Sequence, residues 1–487
     1  AAHAATVGRA RQWFGISLSR KGKMTPSTLL KTSTGLLAAS ALAGCMQLAP
    51  RYERPAAPVP ATFPNATSVL SGTAAADLAW QDYFADPALR ALIELALKNN
   101  RDLRVAVLNI EAVRAQYQLR RADQLPTLNA GLTASRAPGT GGNNVSAYSA
   151  GLSVAAYEVD LFGRVRSLTD SAAAQVLASE ESRRVVQISL IASVANQYLA
   201  LAADEELLDL TLRTLDTREQ SLKLTQLRFD NGAASELDLR QAQTLAEAAR
   251  VTLAQQRRQR ELDRNALALL LGQALPEWPA VPARVSAIAL ADVPAGVPSE
   301  VLLRRPDVAQ AEQQLVAANA SIGAARAAFW PRITLTASAG TASTQLSDLF
   351  KDGAWSFAAQ LLQPIFDAGR NRANLAVAEV QRDIAVAQYE RAIQAAFRDV
   401  ADALAGRATL DDQVRATQAQ ADAEQARYRL SELRFRNGVS SSLELLDAER
   451  SLFAVQQAVV QTQLAFLQNR VSAYRALGGG NLGAAGQ

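Results

Sequence analysis

The 487-residue chain has one histidine, His3, and one cysteine, Cys45. Both lie in the N-terminal segment, so a chain processed at Cys45 carries no imidazole. That excludes Ser-His-Asp triads, Cys-His nucleophiles and His-bearing zinc sites. A lone cysteine excludes an intrachain disulfide. Of the two methionines, Met24 and Met46, processing leaves only Met46, which excludes a methionine-based copper or silver site. Carboxylate-only catalysis survives, so an enzyme is the function class the composition favours least. Acids are missing too: six basic residues and no acid precede Cys45. The formal charge of +4 therefore belongs to the leader. What remains is 44 basic against 46 acidic residues, a charge of −2. The pI of 9.3 then gives no support for a nucleic-acid partner.

What is present begins with that leader. Lys31 supplies a short basic region, Leu36 to Leu42 an apolar one, and small residues run up to Cys45. This pattern reads as a secretory signal, too short to span a bilayer as a mature helix. Residues 1–44 are assigned to leader and signal, with 1–23 upstream of the expected start at Met24. Leu42-Ala43-Gly44-Cys45 resembles a bacterial lipobox. The resemblance implies acylation of Cys45, a covalent lipid in place of any cofactor. Several acyl chains suffice for stable anchoring. Met46, where retained lipoproteins carry Asp, implies export to the outer membrane.

The rest of the chain is a tandem duplication. Leu227-Arg228-Phe229-Asp230-Asn231-Gly232 returns as Leu433-Arg434-Phe435-Arg436-Asn437-Gly438, an offset of 206. The same offset pairs Gly163-Arg164 with Gly369-Arg370. Near the start of each copy it is 205, pairing Pro126 with Pro331. The boundaries are a Pro-rich extension at 45–79, a first copy at 80–275, a Pro-rich linker at 276–298, a second copy at 299–480 and a tail at 481–487.

Each copy reads the same way. An amphipathic helix is expected over about Pro87–Asp123 and again over Ser299–Phe329. Strict apolar–polar alternation follows, with Leu128, Ala130, Leu132 and Ala134 against Thr127, Asn129, Thr133 and Ser135. Period two predicts a strand, with partners near Ala147–Tyr157 and Trp355–Gln363. From Arg164 to Asp230 there is no Gly or Pro, and from Arg370 to Arg436 only Gly406. A helix of ~67 residues would reach ~100 Å. Each run ends at Asn-Gly, a helix stop signal, and a shorter breaker-free run returns to Gly272 or Gly478. Val185, Ile188, Ala192, Ala195, Leu199 and Ala202 are spaced as a coiled-coil seam. The strands suit an outer-membrane barrel, but four cannot close one. Their edges must pair with other chains. Two, three or four copies satisfy the strand count equally.

Leu303-Arg304-Arg305-Pro306-Asp307-Val308, Trp330-Pro331, Trp80-Gln81-Asp82-Tyr83-Phe84 and Asp160-Leu161-Phe162-Gly163-Arg164 resemble signatures of the TolC-like outer membrane factors, NodT subfamily. The resemblance implies a mixed α+β membrane protein. Long coiled-coil hairpins would form a periplasmic α-barrel, and four strands per chain would join a trimeric transmembrane β-barrel. It implies a homotrimer in outer-membrane lipid, the passive exit duct of a tripartite efflux pump for drugs or other small molecules. Its partners would be a periplasmic adaptor (membrane fusion protein) and an inner-membrane transporter of RND type. The duct of a one-step protein secretion system, or a non-channel periplasmic scaffold or adaptor, are the alternatives.

The candidate sites follow from this resemblance. Arg228, Phe229, Asn231, Gly232, Arg434, Phe435, Asn437 and Gly438 would be periplasmic tips that dock the adaptor, besides ending helices. Asp238, Glu444 and Asp447 match acids at the family's closed aperture. Ser235-x-x-Asp238 and Ser441-x-x-Glu444 also read as capping boxes, a purely structural use. Asp447 has no such use. Trp330, Trp355, Tyr148 and Tyr157 read either as interfacial aromatics or as ordinary packing at the strand–helix junction.

Overall fold

A computed structural model describes residues 47–64, 78–138, 143–276, 284–292 and 299–480. The chain divides into two compact units, Ala1–Gln47 and Leu48–Gln487. Among the described residues, every helix and strand belongs to the second unit. The leader, Cys45, Met46, most of the linker and the tail lie outside the described residues.

The elements run α1 (Trp80–Tyr83), α2 (Pro87–Asn99), α3 (Arg101–Ala122), β1 (Leu128–Pro138), β2 (Asn144–Val159), α4 (Arg164–Asp230) and α5 (Glu236–Leu271). The second copy has α6 (Pro306–Ala327), β3 (Arg332–Ser343), β4 (Gly353–Leu362), α7 (Arg370–Arg436) and α8 (Ser442–Ala476). The breaker-free runs are helices over their full predicted length. Gly163 and Gly369 start the long helices in the left-handed region, φ 69° and 87°. Gly406 does not interrupt α7. A Cβ there would lie 2.0 Å from the Asn469 side chain, so the glycine lets α7 and α8 approach closely.

Two expectations need correction. The helix expected over Pro87–Asp123 is two helices. Asn100 ends α2 and caps α3: its side chain accepts from the Leu103 N–H at 2.9 Å and donates to the Leu270 carbonyl at 2.9 Å. A long-range bond, invisible in local sequence, turns the chain there. In the second copy the break falls at Arg305, after a 3-10 turn at Ser299–Arg304 and before Pro306 at the first helical position. Proline suits that position because its N–H would be orphaned anyway.

The core lies where α2 and the chain around Trp80–Phe84 pack across α4, α7 and α8. Trp80, Tyr83, Leu89, Ile93, Tyr198, Tyr389 and Tyr474 are buried in it. Tyr83 stacks on Tyr474 with ring centroids 3.9 Å apart, and each hydroxyl donates to a backbone carbonyl, of Arg470 and Leu78. Ile188, Ala192, Ala195, Leu199 and Ala202 of the predicted seam are buried, and Val185 is half-buried. An 18-residue window of α4 is apolar enough for a membrane span, but 61% of it is buried in the chain. It is core seam.

The sheet order is β1-β2-β3-β4, all antiparallel. Leu128 faces Val154, which faces Ala337, which faces Phe357. One face thus carries Leu128, Leu132, Leu152, Val154, Phe357 and Leu361. The other carries serines and threonines, with Thr133–Ser149 and Ser338–Ser356 hydroxyl pairs at 2.6 and 2.8 Å. Both faces are open: on the first Leu132 is 69% and Trp355 81% exposed, and on the second Thr133 and Ser356 are exposed.

Candidate functional site

The helical tips are two near-identical turns. Asn231 ends α4 and Gly232 follows at φ 73°; Asn437 ends α7 and Gly438 follows at φ 71°. The Ala233 and Gly232 N–H groups donate to the Arg228 and Phe229 carbonyls at 2.7 and 2.9 Å. Val439 and Gly438 repeat the pattern on Arg434 and Phe435. This Schellman arrangement satisfies carbonyls that a helix end would orphan. Asn231 and Asn437 each donate a side-chain N–H to the carbonyl four residues back, Leu227 and Leu433. Nothing lies within 4 Å of a Cβ built on Gly232 or Gly438. The turns are exposed, and only φ demands glycine. The two tips touch: the Arg228 guanidinium lies 5.2 Å from the Phe435 ring centroid, a cation–π distance.

The three acids sit in different surroundings. Asp238 completes the predicted capping box: Ser235 Oγ donates to its carboxylate at 2.6 Å and accepts its N–H at 3.1 Å. Ser442 of the second copy also donates to it. The Ser235 hydroxyl first, and then that of Ser442, hold the Asp238 carboxyl below the usual carboxylate range. The capping box expected at Ser441 is not formed: Ser441 makes no side-chain cap bond. Glu444 is instead 3.5 Å from the Arg434 guanidinium at the end of α7. Asp447 is held between Arg427 of α7 at 2.6 Å and Arg450 of α8 at 2.7 Å.

Sequence reasoning missed the residues that tie the two copies together above the tips. Arg218 of α4 donates to Glu449 of α8 at 3.1 Å and to the Leu245 carbonyl at 3.1 Å. The guanidinium lies 5.1 Å from the Phe453 ring centroid. Both side chains are nearly inaccessible, at 4% and 8% exposure. Burial pushes the Glu449 carboxyl up more than Arg218 pulls it down. Nothing local marks either residue, because its partner is 231 positions away.

A second missed feature is a strap. Residues Leu48–Arg54 run along α6. Arg326 and Asn319 donate to the Leu48 and Pro50 carbonyls, and Tyr52 and Arg54 both donate to Glu312. Gly323 makes room, since a Cβ there would lie 2.8 Å from Ala49. At the strand–helix junction Trp330 stacks on Phe162, centroids 5.0 Å apart, and Tyr157 donates to the Gln124 carbonyl. Trp355, on β4, stays largely exposed.

Midway along the helices Asp204 of α4 faces Asp263 of α5, about 60 Å of helix from the sheet at 1.5 Å per residue. Burial, and then a hydrogen bond shared with Asp263, push the Asp204 carboxyl up to about 8. Gln197 donates to Asp263 at 2.9 Å. A carboxyl raised in the folded state favours folding at low pH and loses that contribution as pH rises toward 8. The wild-type melting temperature should therefore fall between pH 5 and pH 8. Asp204→Asn should flatten that slope, as read by circular dichroism melts at the two pH values.

With this geometry in hand, comparison with known proteins is decisive. The family model described as "Outer membrane efflux protein" matches residues 92–273 and 297–479. The chain belongs to the outer membrane efflux protein family. Its two matched segments are the two copies. This efflux protein is 47% identical over 470 residues to the antibiotic efflux pump outer membrane protein ArpC of Pseudomonas putida. It is equally similar to the toluene efflux pump outer membrane protein TtgC of that organism. Both alignments cover 94% of this chain and 96% of the relative. The open state of the Neisseria gonorrhoeae MtrE outer membrane channel superposes with a TM-score of 0.82 at 44% identity, covering 89% of this chain and 98% of that one. The efflux protein is a TolC-like component of the outer membrane that extends into the periplasm.

Proposed function

We propose that three copies of this chain form the passive exit duct of a tripartite efflux pump for drugs or other small molecules. The observation that carries the reading is the sheet: four strands, apolar on one face and hydroxyl-lined on the other, with neither face covered among the described residues. Such a sheet suits lipid on one side and a watery lumen on the other. Three copies close twelve strands. The names of the antibiotic and toluene pump relatives support the substrate class. The family resemblance supports a periplasmic adaptor at the tips and an RND-type inner-membrane transporter beyond it.

Acylation of Cys45 fits the strap. Leu48 is held at Arg326, six residues before β3 begins at Arg332. Three residues of chain reach about 11 Å at most, so lipid on Cys45 would enter the same membrane as the strands.

Docking and folding can be separated at the tips. Asn accepts the left-handed conformation that Gly232 and Gly438 adopt. Expressed with a matching adaptor and transporter in a host lacking its own outer-membrane efflux channel, the wild type should restore growth on toxic solvents and antibiotics. Gly232→Asn with Gly438→Asn should reach the outer membrane in normal amount yet lose that protection. Full protection by the double variant removes the docking role; no protection by the wild type, correctly inserted, removes the efflux reading.

Asp447 is assigned to the aperture, with Asp238 and Glu444 beside it. Arg427 ties α7 to α8 through Asp447 while Arg450 pairs with it along α8, and symmetry repeats the charge around the axis. Rings of carboxylate favour cations. Asp447→Ala should raise the resting conductance in a planar bilayer; an unchanged resting conductance excludes Asp447 from the gate.

A further inference from the structure

The described strands carry three charged residues, Arg136, Glu158 and Arg332. Alternation puts Arg136 on the apolar face, at the end of β1 away from the helices. Arg332 starts β3 at the end beside the helices, on the hydroxyl face with Thr334, Thr336 and Ser338. Glu158 joins it there because β2 changes phase. Val154 faces Ala337 but Tyr157 faces Leu335, so two residues of β2 oppose Thr336 alone. Ala156 takes φ 51° in this bulge, a left-handed conformation uncommon for residues other than glycine. Its N–H donates to Thr336 Oγ1 at 3.3 Å. Without the extra residue Glu158 would share the apolar face with Val154; with it, Glu158 lies opposite Thr334. Bulges re-aim side chains in this way.

The three side chains form one cluster. Arg164, at the start of α4, donates twice to Glu158 at 2.7 Å, and Arg332 Nε lies 2.7 Å from its other side. The carboxylate is hidden behind the guanidinia: the Glu158 side chain is 11% exposed and that of Arg332 57%. Two cations against one anion leave a charge of +1, and Arg332 is the part that solvent reaches. Asp160 and Asp367 line the same cleft, as does Arg370. Both acids are committed to helix starts, accepting the Arg166 N–H and those of Gly369 and Asn371, where the helix dipole offsets their charge. The duplication makes no second cluster. The residues matching Glu158 and Arg332 are Pro364 and Thr127, so each chain has one.

We infer that Arg332 is a selectivity-determining residue of the channel: its copies form a guanidinium collar in the lumen where the strands meet the helices. The inference rests on the channel reading above, which turns the hydroxyl face toward water, and adds to it a charged ring at the foot of the barrel. Rings of arginine favour anions as rings of carboxylate favour cations. The collar is therefore opposite in sign to the acids assigned to the aperture. Three unit charges about one Debye length from the axis change the population of a monovalent ion by about twofold at 0.1 M salt. Solutes bearing carboxylate, sulfonate or phosphate groups are the class it admits best, and polycations the class it delays.

The test is the reversal potential of the full-length protein in a planar bilayer under a potassium chloride gradient. Arg332→Gln should shift the potassium-to-chloride permeability ratio toward potassium by at least about twofold near 0.1 M salt, and the shift should fade near 1 M, where the Debye length is about 3 Å. Arg332→Lys keeps the charge but not the guanidinium geometry, and should match the wild type. Glu158→Gln uncovers a cation and should shift the ratio toward chloride, which keeps the test open should Arg332→Gln fail to insert. An unchanged ratio in Arg332→Gln, or in Glu158→Gln, overturns the collar. A shift in Arg332→Lys equal to that in Arg332→Gln overturns it too, since geometry and not charge would then set selectivity. A correctly inserted wild type that passes no current defeats the channel reading underneath.

Discussion

Arg218→Met is expected to destabilise the helical hairpins by roughly 3–5 kcal/mol, the cost of leaving one member of a buried ion pair uncompensated. The pair joins α4 of the first copy to α8 of the second, and solvent barely reaches it. Glu449 already holds its charge against burial that raises its carboxyl above the usual range. Without Arg218 that shift grows. The deficit should then be larger at pH 8 than at pH 5, because a carboxyl raised in the folded state withdraws its contribution as pH rises. The Leu245 carbonyl and the Phe453 ring lose their partner in the same step. Arg218→Met combined with Glu449→Leu should recover most of the loss, since apolar residues of similar volume often replace a buried pair at little cost. Thermal melts of the two variants at both pH values check this. Equal destabilisation of single and double variants would show that packing, not charge, sets the effect.

Phe357→Arg is expected to cost about 2–4 kcal/mol of barrel stability, the penalty for arginine near the bilayer midplane. Phe357 sits in the middle of β4, opposite Ala337, on the face that carries Leu128 and Val154. The neighbouring Ser356 points the other way, hydrogen-bonded to Ser338. Ser356→Arg should insert normally and instead lower the single-channel conductance by adding charge and bulk to the lumen. The pair of variants differs by one position along a strand and by the whole thickness of the sheet. Heat-modifiable mobility of membrane fractions measures insertion. Equal insertion of both variants would mean that the apolar face does not meet lipid.

Much of this fold is legible in the sequence because local rules govern it. Long runs without Gly or Pro become single helices, Asn-Gly ends them, and period-two alternation marks the strands. The duplication shows which parts are built alike. What the sequence does not disclose depends on distant partners. Asn100 breaks a helix because Leu270 accepts its amide. The Leu48–Arg54 strap depends on Glu312, some 260 positions away. Ser441 carries the right residue for a cap, yet Glu444 lies beside Arg434 and the box stays open. At the tips, the acids could be named from family resemblance, but not the groups that hold them. Ser442 on Asp238 and Arg427 on Asp447 emerge only when α8 is placed beside α5 and α7, whereas Arg450 lies within one turn of Asp447 on α8 itself.

The central claim is that this chain, assembled with copies of itself, is a water-filled conduit through the outer membrane. Single-channel recording of the purified protein in a planar lipid bilayer tests it most directly. The account predicts discrete conductance steps, rare in the wild type at rest and frequent in Asp447→Ala. A correctly folded, membrane-inserted protein that passes no current in either form would contradict it.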